Sequence, residues 1–362
     1  MYTQLDDIQK EIVTSNAKNI LVIAGSGSGK TRVLTERIKY LLDTQENIED
    51  IVAITFTNAA ADEIKERIGE QANNIYIGTI HGYANQLLLR AGVDTSKLIN
   101  DEQFDELFEE IQDHPEAIKH ISHLLVDEFQ DIDSDQYFFL FGMLQPDNFF
   151  VVGDDNQCIY SFRGSDVTYF FDLYNDPLVT VYKMENNYRT GYNILSFATK
   201  FLRTLQRKIP KKVCPKVDYE GAVKKVHDGG IVSRDFTPIA EEIEEQKDYG
   251  KWFILTRTNS QLDKIKSFLE EKNIPCDTFK RGDLTTSDFN NKMRENTVKV
   301  LTAHSAKGLE NDHVVVYGII PRNDEEKRLA YVAATRAKKE LIWIYTDHFS
   351  KKKRTEKVYN WE

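Results

Sequence analysis

The sequence predicts an α/β protein with two domains, each containing a parallel β-sheet wrapped by helices. Short apolar runs of strand length alternate with longer segments of helical periodicity, a pattern typical of parallel sheets with helical crossovers. The chain has 362 residues, more than one hydrophobic core usually organises, so two domains are expected. Its hydrophobic content of 41% is sufficient for packed cores.

The first series of strand candidates occupies the N-terminal half. Residues 19 to 24, NILVIA, form an apolar run, and the next segment predicts a helix because Leu34, Ile38, Leu41 and Leu42 fall on one face. The remaining strand candidates of this half are residues 51 to 55, 75 to 80, 123 to 126 and 148 to 153. Between them, residues 85 to 122 leave room for a short helical insertion.

A second series of strand candidates follows in the C-terminal half. Its members are residues 179 to 184, 252 to 257, 298 to 304, 313 to 318 and 340 to 345. We place the boundary near residue 180, which gives an N-terminal domain of residues 1 to 180 and a C-terminal domain of residues 181 to 362.

Charge and cysteine content restrict the protein class. With 47 Lys and Arg against 58 Asp and Glu, the net charge of −11 taken alone argues against a polyanionic partner. A local basic stretch between Thr199 and Lys225 can override that balance. The three cysteines form no CxxC pair, so neither a zinc site nor a disulfide framework is indicated and a reducing cytoplasm fits best. The absence of a long apolar run predicts no membrane segment.

The segment 24 to 31, AGSGSGKT, predicts a phosphate-binding loop because it lies between a strand and a helix. Small residues let the backbone N–H groups turn toward phosphates, Lys30 can reach the β and γ oxygens, and Thr31 can hold Mg²⁺. A flexible Gly/Ser linker is the alternative. The candidate nucleotide-binding residues of this loop are Ala24, Gly25, Ser26, Gly27, Ser28, Gly29, Lys30 and Thr31.

The segment 123 to 131, HLLVDEFQD, predicts the second half of an ATP hydrolysis site. The strand would bring Asp127 to the Mg²⁺ ion, and Glu128 would orient and deprotonate an attacking water. Alone, the pattern is also that of an ordinary helix start. In the second half, Arg189 and Arg336 are candidate arginine fingers that would act on ATP after domain closure, although each could be a helix-surface arginine.

Together these motifs resemble, in order along the chain, those of the UvrD/Rep/PcrA-type superfamily 1 (SF1A) DNA helicases, from Leu5 to about Ile344. The resemblance implies two RecA-like P-loop NTPase domains with ATP in the cleft between them. It implies further nucleotide contacts, with Gln9 at the adenine edge, Arg32 near the base and Tyr188 stacked on adenine. It also implies that Glu310 holds the ribose, that Gln157 lies at the γ-phosphate, and that Arg189 and Arg336 are the fingers.

The same resemblance implies a single-stranded DNA path. Tyr160 and Phe162, in the segment VVGDDNQCIYSFRG, would stack bases with Arg163 packed on the Phe162 ring. Phe56 would offer another stacking face. The remaining contacts implied are those of Thr57, Asn58, Thr79, His81 and His304. The alternative for the rings is ordinary core packing, and for the histidines it is a satisfied polar role.

The chain also departs from its relatives. The large insertions of both motor domains are nearly absent, since residues 85 to 122 are short and residues 281 to 296 replace the second insertion. Ala59, Asn311 and Asp133 replace residues that are common in the family. Relatives grip duplex DNA with these insertions, so the sequence supports translocation more directly than strand separation.

We therefore expect a monomeric ATP-dependent translocase or helicase that uses ATP and Mg²⁺ and moves 3′ to 5′ on single-stranded DNA. Junctions of single-stranded and duplex DNA, and a nuclease or DNA-repair partner protein, are further expected partners. One alternative is a DNA-binding recruitment or regulatory subunit of a nuclease, repair or phage-defence complex, whose ATPase acts as a switch. Another is an NTPase that binds no nucleic acid.

Overall fold

The computed structural model describes residues 5 to 45, 47 to 228, 232 to 279 and 286 to 346, which divide into two compact units. The first unit contains Met1–Arg189 and Leu205–Val217, and the second contains Thr190–Thr204 and Asp218–Glu362. Each unit has a six-stranded sheet in which all paired strands are parallel. The predicted α/β class with two RecA-like parallel sheets is therefore confirmed.

The first sheet has the strand order β3-β2-β4-β5-β1-β6. Its strands are β1 (Asn19–Ala24), β2 (Ile51–Thr55), β3 (Tyr76–Thr79), β4 (His123–Val126), β5 (Asn148–Gly153) and β6 (Thr180–Met184). The helices of this unit are α1 (Asp7–Thr14), α2 (Lys30–Thr44), α3 (Asn58–Ile68), α4 (Ile80–Arg90), α5 (Ser96–Asn100), α6 (Glu106–Asp113), α7 (Ser134–Tyr137) and α8 (Thr168–Asn175).

The apolar runs in this sheet are continuous because both of its faces are covered. In β1, Ile20 and Val22 belong to one buried cluster, while Leu21 and Ile23 belong to another. Successive side chains of a strand point to opposite faces, so the two clusters are the two sides of one sheet. This double burial explains why the strands read as uninterrupted hydrophobic segments.

The boundary predicted near residue 180 differs from the compact units. The segment 179 to 184 was expected to begin the second series of strands, but β6 pairs with β1 in the register Ile20↔Thr180. Beyond it, β7 (Asn186–Asn187) pairs with β8 (Cys214–Pro215). These backbone ladders attach the chain through Arg189, and again from Leu205 to Val217, to the first unit.

The predicted insertion at residues 85 to 122 contains short helices, as expected from its length. The end of α4, then α5 and α6, and a 3₁₀ turn at Pro115–Ala117 fill it before β4 begins. Leu107, Phe108 and Ile111 of α6 are buried in the core of the first unit. The insertion is therefore packed onto its own domain.

The second sheet has the strand order β11-β12-β10-β13-β14-β9. Its strands are β9 (Ala222–Asp228), β10 (Trp252–Thr256), β11 (Cys276–Phe279), β12 (Val298–Thr302), β13 (Asn311–Tyr317) and β14 (Ala337–Thr346). The helices of this unit are α9 (Tyr192–Leu202), α10 (Val232–Gln246), α11 (Asn259–Glu271), α12 (Thr286–Arg294) and α13 (Asp324–Ala334). The sequence did not predict the two edge strands, β9 and β11.

Helix α9 packs on the second sheet through aromatic contacts. The Trp343 ring of β14 lies 5.5 Å from the ring of Phe197 and 5.0 Å from that of Phe201, measured between centroids. Of the stretch 281 to 296, predicted to replace the second insertion, residues 281 to 285 lie outside the described residues, and α12 forms most of the rest. Among the helices of the described residues, none has the length and apolar character that a membrane crossing requires.

Candidate nucleotide and nucleic-acid sites

The predicted phosphate loop connects β1 to α2 in the first unit. Gly27 has φ of 69° and Gly29 has φ of 88°, which place two turns of the loop in the left-handed region that favours glycine. The Ser28 hydroxyl donates to the Gly25 carbonyl over 2.8 Å and tightens the turn. Helix α2 begins at Lys30, so its N-terminal N–H groups lie at the end of this loop, where anions bind.

The segment after β6 holds the loop from one side. The Asn187 side-chain amide, which is fully buried, donates to the Ser26 carbonyl over 2.5 Å, and the Tyr188 backbone N–H donates to the Gly27 carbonyl over 2.8 Å. The Arg189 guanidinium lies 3.4 Å from the Ser26 hydroxyl. The sequence placed Arg189 in the second half, whereas these bonds and the β6 ladder place it in the same unit as the loop.

Gln9 and Tyr188, both predicted at the nucleotide base, lie near the loop. Gln9 is 3% exposed, and its amide donates to the Ser28 carbonyl over 3.0 Å. Asp6 and Gln9 form the capping box of α1, and Asp6 also accepts hydrogen bonds from the Tyr188 hydroxyl and, over 2.9 Å, from Asn186. The Tyr188 ring is 45% exposed and available for stacking.

The two acids predicted for hydrolysis follow β4. Asp127 is 6% exposed, and Glu128 has φ of 50°, a left-handed conformation that is uncommon outside glycine. Lys30 Nζ lies 3.9 Å from Glu128 Oε1. The structure therefore brings Lys30 and Glu128 together, with the Glu128 carboxylate partly exposed.

A buried polar network connects Glu128 to the segment after β5. Gln130 is fully buried, and its side-chain amide N–H donates to the Glu128 carboxylate. The side-chain Oε1 of Gln130 accepts from the Asp154 backbone N–H over 2.9 Å. The carboxylate of Asp154 accepts from the Gln157 amide over 2.8 Å. Gln157, predicted at the γ-phosphate, is thus tied to the same network as the predicted base.

The charge state of Asp154 fits this arrangement. Burial would raise the pKa of its carboxyl, but the nearby Lys211 and Lys30 cations and hydrogen bonds from Lys211 and Gln157 hold that pKa below the ordinary value. The residue therefore stays ionised at neutral pH and remains an acceptor for the Gln157 amide.

The predicted base-stacking residues form a line of rings. Phe56 and Tyr160 stack with centroids 5.5 Å apart and an interplanar angle of 14°. Tyr160 meets Phe162 edge to face at 6.1 Å, and Phe162 is 63% exposed. An exposed ring does not stabilise a core, so Phe162 fits a surface for stacking better than interior packing, while Phe56 and Tyr160 are partly buried. The Arg163 side chain lies outside the described residues.

The other predicted DNA contacts of this unit lie at helix starts. Thr57 and Thr79 are the N-caps of α3 and α4, and each hydroxyl accepts a backbone N–H over 3.2 Å. Asn58 is exposed at the first position of α3. His81 hydrogen-bonds Asp105 of the insertion through its Nε2 atom over 3.1 Å.

Three predicted residues lie in the second unit. Arg336 is 2% exposed, and its guanidinium donates to the carbonyls of Val332 over 2.9 Å and Leu309 over 3.2 Å. Glu310 pairs with Lys338 Nζ at 2.9 Å. His304 is largely buried, and burial with the nearby Arg257 cation lowers its pKa to about 4. Their roles toward ATP and DNA stay predictions of the resemblance.

Sequence reasoning did not single out several residues that organise the site. Gln130 lies inside the segment HLLVDEFQD, two residues after Glu128, whereas Asn187 lies far from the phosphate loop in sequence and carries no local signal of its contact with that loop. Asp6 is the N-cap signal of α1, three residues before Gln9. Lys211 lies within a basic run and reads as a solvent-exposed lysine.

The donor chemistry of the loop fits a nucleotide with Mg²⁺. A threonine hydroxyl at Thr31 and carboxylates at Asp127 and Glu128 supply the oxygen ligands that Mg²⁺ prefers, directly or through water. Lys30, at the start of α2, adds a cation for phosphate oxygens. Bound Mg²⁺ would neutralise phosphate charge, and the protein groups would orient the phosphates and the water.

Comparisons with known proteins show which families this chain is similar to. The model of an AAA domain matches residues 9 to 163, and the model of the UvrD-like helicase C-terminal domain matches residues 182 to 289 and 280 to 348. A probable DNA helicase of Mycoplasma pneumoniae is 27% identical, across 94% of this chain and 83% of its own length.

Other relatives are matched over less of their length. The DNA helicase II of Salmonella typhimurium is 29% identical over 58% of this chain and 42% of its own length. The ATP-dependent DNA helicase PcrA of Staphylococcus epidermidis is 27% identical over 74% of this chain and 50% of its own length. The chain thus spans half or less of these two relatives.

Proposed function

The chain belongs to the UvrD/PcrA-like superfamily 1A helicases, and from this premise we propose that it is an ATP-dependent DNA helicase whose core activity is 3′ to 5′ translocation on single-stranded DNA. The proposal assigns ATP and Mg²⁺ to the phosphate loop and the two acids after β4. It assigns the DNA bases to the rings of Phe56, Tyr160 and Phe162.

One observation carries the proposal. Gln157, Tyr160 and Phe162 lie on one short segment between β5 and α8, which contains two single 3₁₀ turns. Its start is fixed to the ATP-side network through Asp154, and its end presents the rings that stack from Phe56 outward. A displacement of Gln157 on loss of the γ-phosphate would be transmitted over a few residues to the DNA-side rings.

The energy of base stacking suits this coupling. Each base stacked on an aromatic side chain contributes about 1–3 kcal/mol, a contact strong enough to hold a strand and weak enough to be released in each cycle. Catalysis of hydrolysis would rest on positioning, with Glu128 as base, Lys30 on phosphate oxygens and Gln157 at the γ-phosphate. Arg189 lies beside Ser26 and would neutralise phosphate charge from within the same unit.

Polarity is tested directly with end-labelled oligonucleotides. The protein would be loaded on single strands that carry a fluorophore at either the 5′ or the 3′ end, and the arrival signal would be followed in ATP. A 3′ to 5′ translocase gives a length-dependent delay at the 5′ label and a length-independent decay at the 3′ label. The reverse pattern would contradict the proposed direction, and no ATP-dependent signal at either end would contradict translocation.

Strand separation needs a separate measurement because the insertion of the first unit is short. Its helices α5 and α6 contain 5 and 8 residues. We expect translocation on single strands to be faster than unwinding of duplexes with a 3′ tail. Comparable rates in both assays would show that the compact insertion is sufficient for unwinding.

A further inference from the structure

A buried lysine organises the segment that follows β5. The Lys211 side chain is 4% exposed, and its Nζ lies 2.5 Å from Asp154 Oδ1 and also contacts the carboxylate of Asp155. Both aspartate side chains are fully buried. Lys211 reaches them from the returning segment Leu205–Val217, which follows the first passage of the chain into the second unit.

The environment favours the charged lysine. Burial alone would lower the pKa of Lys211, but the carboxylates of Asp154 and Asp155 raise it above the ordinary value. A buried carboxylate pair of this kind is costly without a cation, because neither charge is compensated by water. The three ionised groups therefore depend on one another.

The returning segment is anchored at several other points. Ile209 is buried, and its backbone N–H donates to Asp155 over 2.9 Å. Lys183 Nζ donates to the Pro210 carbonyl over 2.7 Å, and the Lys212 backbone N–H donates to Glu185 over 2.9 Å. Lys211 is therefore held in place by backbone contacts on both sides, and its side chain is directed at the aspartates.

The network then continues to the predicted ATP-sensing group. The Asp154 carboxylate uses Oδ1 for Lys211 and Oδ2 for the Gln157 amide at 2.8 Å, while the Asp154 backbone N–H is held by Gln130. Gln130 also contacts Glu128. The Asp154 carboxylate thus connects Lys211 to the side-chain amide of Gln157. The Asp154 backbone N–H is connected through Gln130 to Glu128, the predicted base.

We propose that Lys211 is a positioning residue for ATP hydrolysis, which fixes Asp154 and thereby holds the Gln157 amide in the orientation that meets the γ-phosphate. The inference rests on the proposed function, in which Gln157 contacts ATP. It assigns a role in the chemistry to the returning segment, which carries no motif of the nucleotide site. Lys211 acts through Asp154 and is not itself in contact with the nucleotide.

The test compares Lys211→Met with Lys212→Met, a variant of the neighbouring exposed lysine, in steady-state ATP hydrolysis with saturating single-stranded DNA. We expect Lys211→Met to lower kcat by at least about tenfold, with KM for ATP changed by less than about threefold, since a group that orients a transition-state contact affects kcat more than binding. Lys212→Met should retain the parental kcat. Thermal melting of each variant shows that it is folded.

A second comparison separates positioning from a general structural role. If Lys211 acts through Gln157, then Lys211→Met combined with Gln157→Ala should lose no more kcat than Gln157→Ala alone. Fully additive losses would overturn the proposal, and so would an unchanged kcat in folded Lys211→Met.

If Lys211→Met does not fold, the double variant Lys211→Met/Asp155→Asn replaces it, because the lost cation is then matched by a lost carboxylate. A parental kcat in that variant would overturn the proposal, and a reduced kcat at unchanged KM would support it. Failure of the proposed function is distinguishable, since the unaltered protein itself would then hydrolyse ATP without any response to DNA.

Discussion

At the residue scale, the candidate ATP site contains charged side chains that are also held by hydrogen bonds. Glu128 shows this most clearly, since it has a left-handed backbone, faces Lys30 at 3.9 Å and is contacted by Gln130. Such a carboxylate is held in one orientation while it remains partly exposed to water. That combination fits a general base, which has to meet a water molecule in a defined position.

Replacing Glu128 with Gln should abolish turnover while ATP binding is retained. The amide keeps the size and the Gln130 contact but cannot accept a proton, and general bases contribute about 10²–10⁴ in rate. The measurement is kcat for ATP hydrolysis with DNA, together with the Kd of a fluorescent ATP analogue. Glu70→Gln, at an exposed glutamate, is the control; hydrolysis retained by Glu128→Gln would remove Glu128 as the base.

Replacing Phe162 with Ala should weaken single-stranded DNA binding with little change in stability. The ring is 63% exposed, so its removal leaves no cavity, and one stacked base corresponds to about 1–3 kcal/mol of binding free energy. The measurement is the Kd for a labelled oligonucleotide at fixed salt. Phe138→Ala, at a ring that is 53% exposed in another part of the unit, is the matched control; equal effects of both changes would contradict the assignment.

At the element scale, the loops that follow the parallel strands supply most of the site of the first unit. The backbone conformation of these loops restricts which residues fit, as Gly27 shows. A Cβ atom built on Gly27 would lie 2.8 Å from the Arg189 Cβ and 2.7 Å from the Asn187 amide nitrogen. The phosphate loop and the segment after β6 are therefore in close contact. Only a residue without a side chain fits at this point of the loop.

Gly27→Ala should reduce ATP affinity by at least about tenfold, which corresponds to 1.4 kcal/mol. The change combines left-handed strain of about 1–2 kcal/mol with displacement of Asn187 and Arg189. The measurement is ATP binding by fluorescence, with thermal melting of the same samples. Gly92→Ala is the control, because Gly92 has a similar φ of 85° but no atom lies within 4 Å of a Cβ built on it. This variant should be less stable but should bind ATP with unchanged affinity. Equal ATP affinity in the two variants would contradict the packing argument.

Several elements were predictable from the sequence and others were not. The strands β1, β2, β4 and β5 lie at the residues predicted because double burial makes them continuous apolar runs. Strand β9 was missed because AVKKVHD, at a sheet edge, carries charges that resemble a solvated segment. Strand β6 belongs to the first sheet because it pairs with β1. This pairing joins residues far apart in sequence, so the local sequence does not predict it.

The same distinction holds for the site. Lys30 and Asp127 were predicted because their motifs place specific chemistry at strand ends, and Gln157 was predicted from the family resemblance; their contacts with ATP stay predictions. Lys211 could not, since its burial depends on a segment that returns to the first unit after α9. The nearby lysines Lys208 and Lys212 are exposed. The two buried aspartates that distinguish Lys211 are more than fifty residues away in sequence.

At the scale of the whole molecule, stability should depend on pH through His304 of the second unit. Its folded-state pKa is about 4, lowered by burial and by Arg257, against about 6.5 in the unfolded chain. The unfolded state therefore binds a proton first as the pH falls. The stabilisation is present above pH 6.5 and is lost between about pH 6.5 and 4, by an amount on the order of 1–3 kcal/mol.

The check is chemical denaturation of the unaltered protein and His304→Gln at several pH values. The difference between the two in the free energy of unfolding should shrink as the pH falls through that window. A difference that stays constant with pH would contradict the neutral, buried state of His304.

The central claim is that one segment of the first unit couples an ATP site to a DNA-binding surface. It is tested most directly by ATP hydrolysis with and without a single-stranded DNA oligonucleotide, with Lys30→Ala as the blank. The structure predicts strong stimulation by DNA that disappears in Lys30→Ala and is reduced in Phe162→Ala. Hydrolysis that depends on Lys30 but is indifferent to DNA would contradict the coupling and leave an ATPase whose exposed rings serve another purpose.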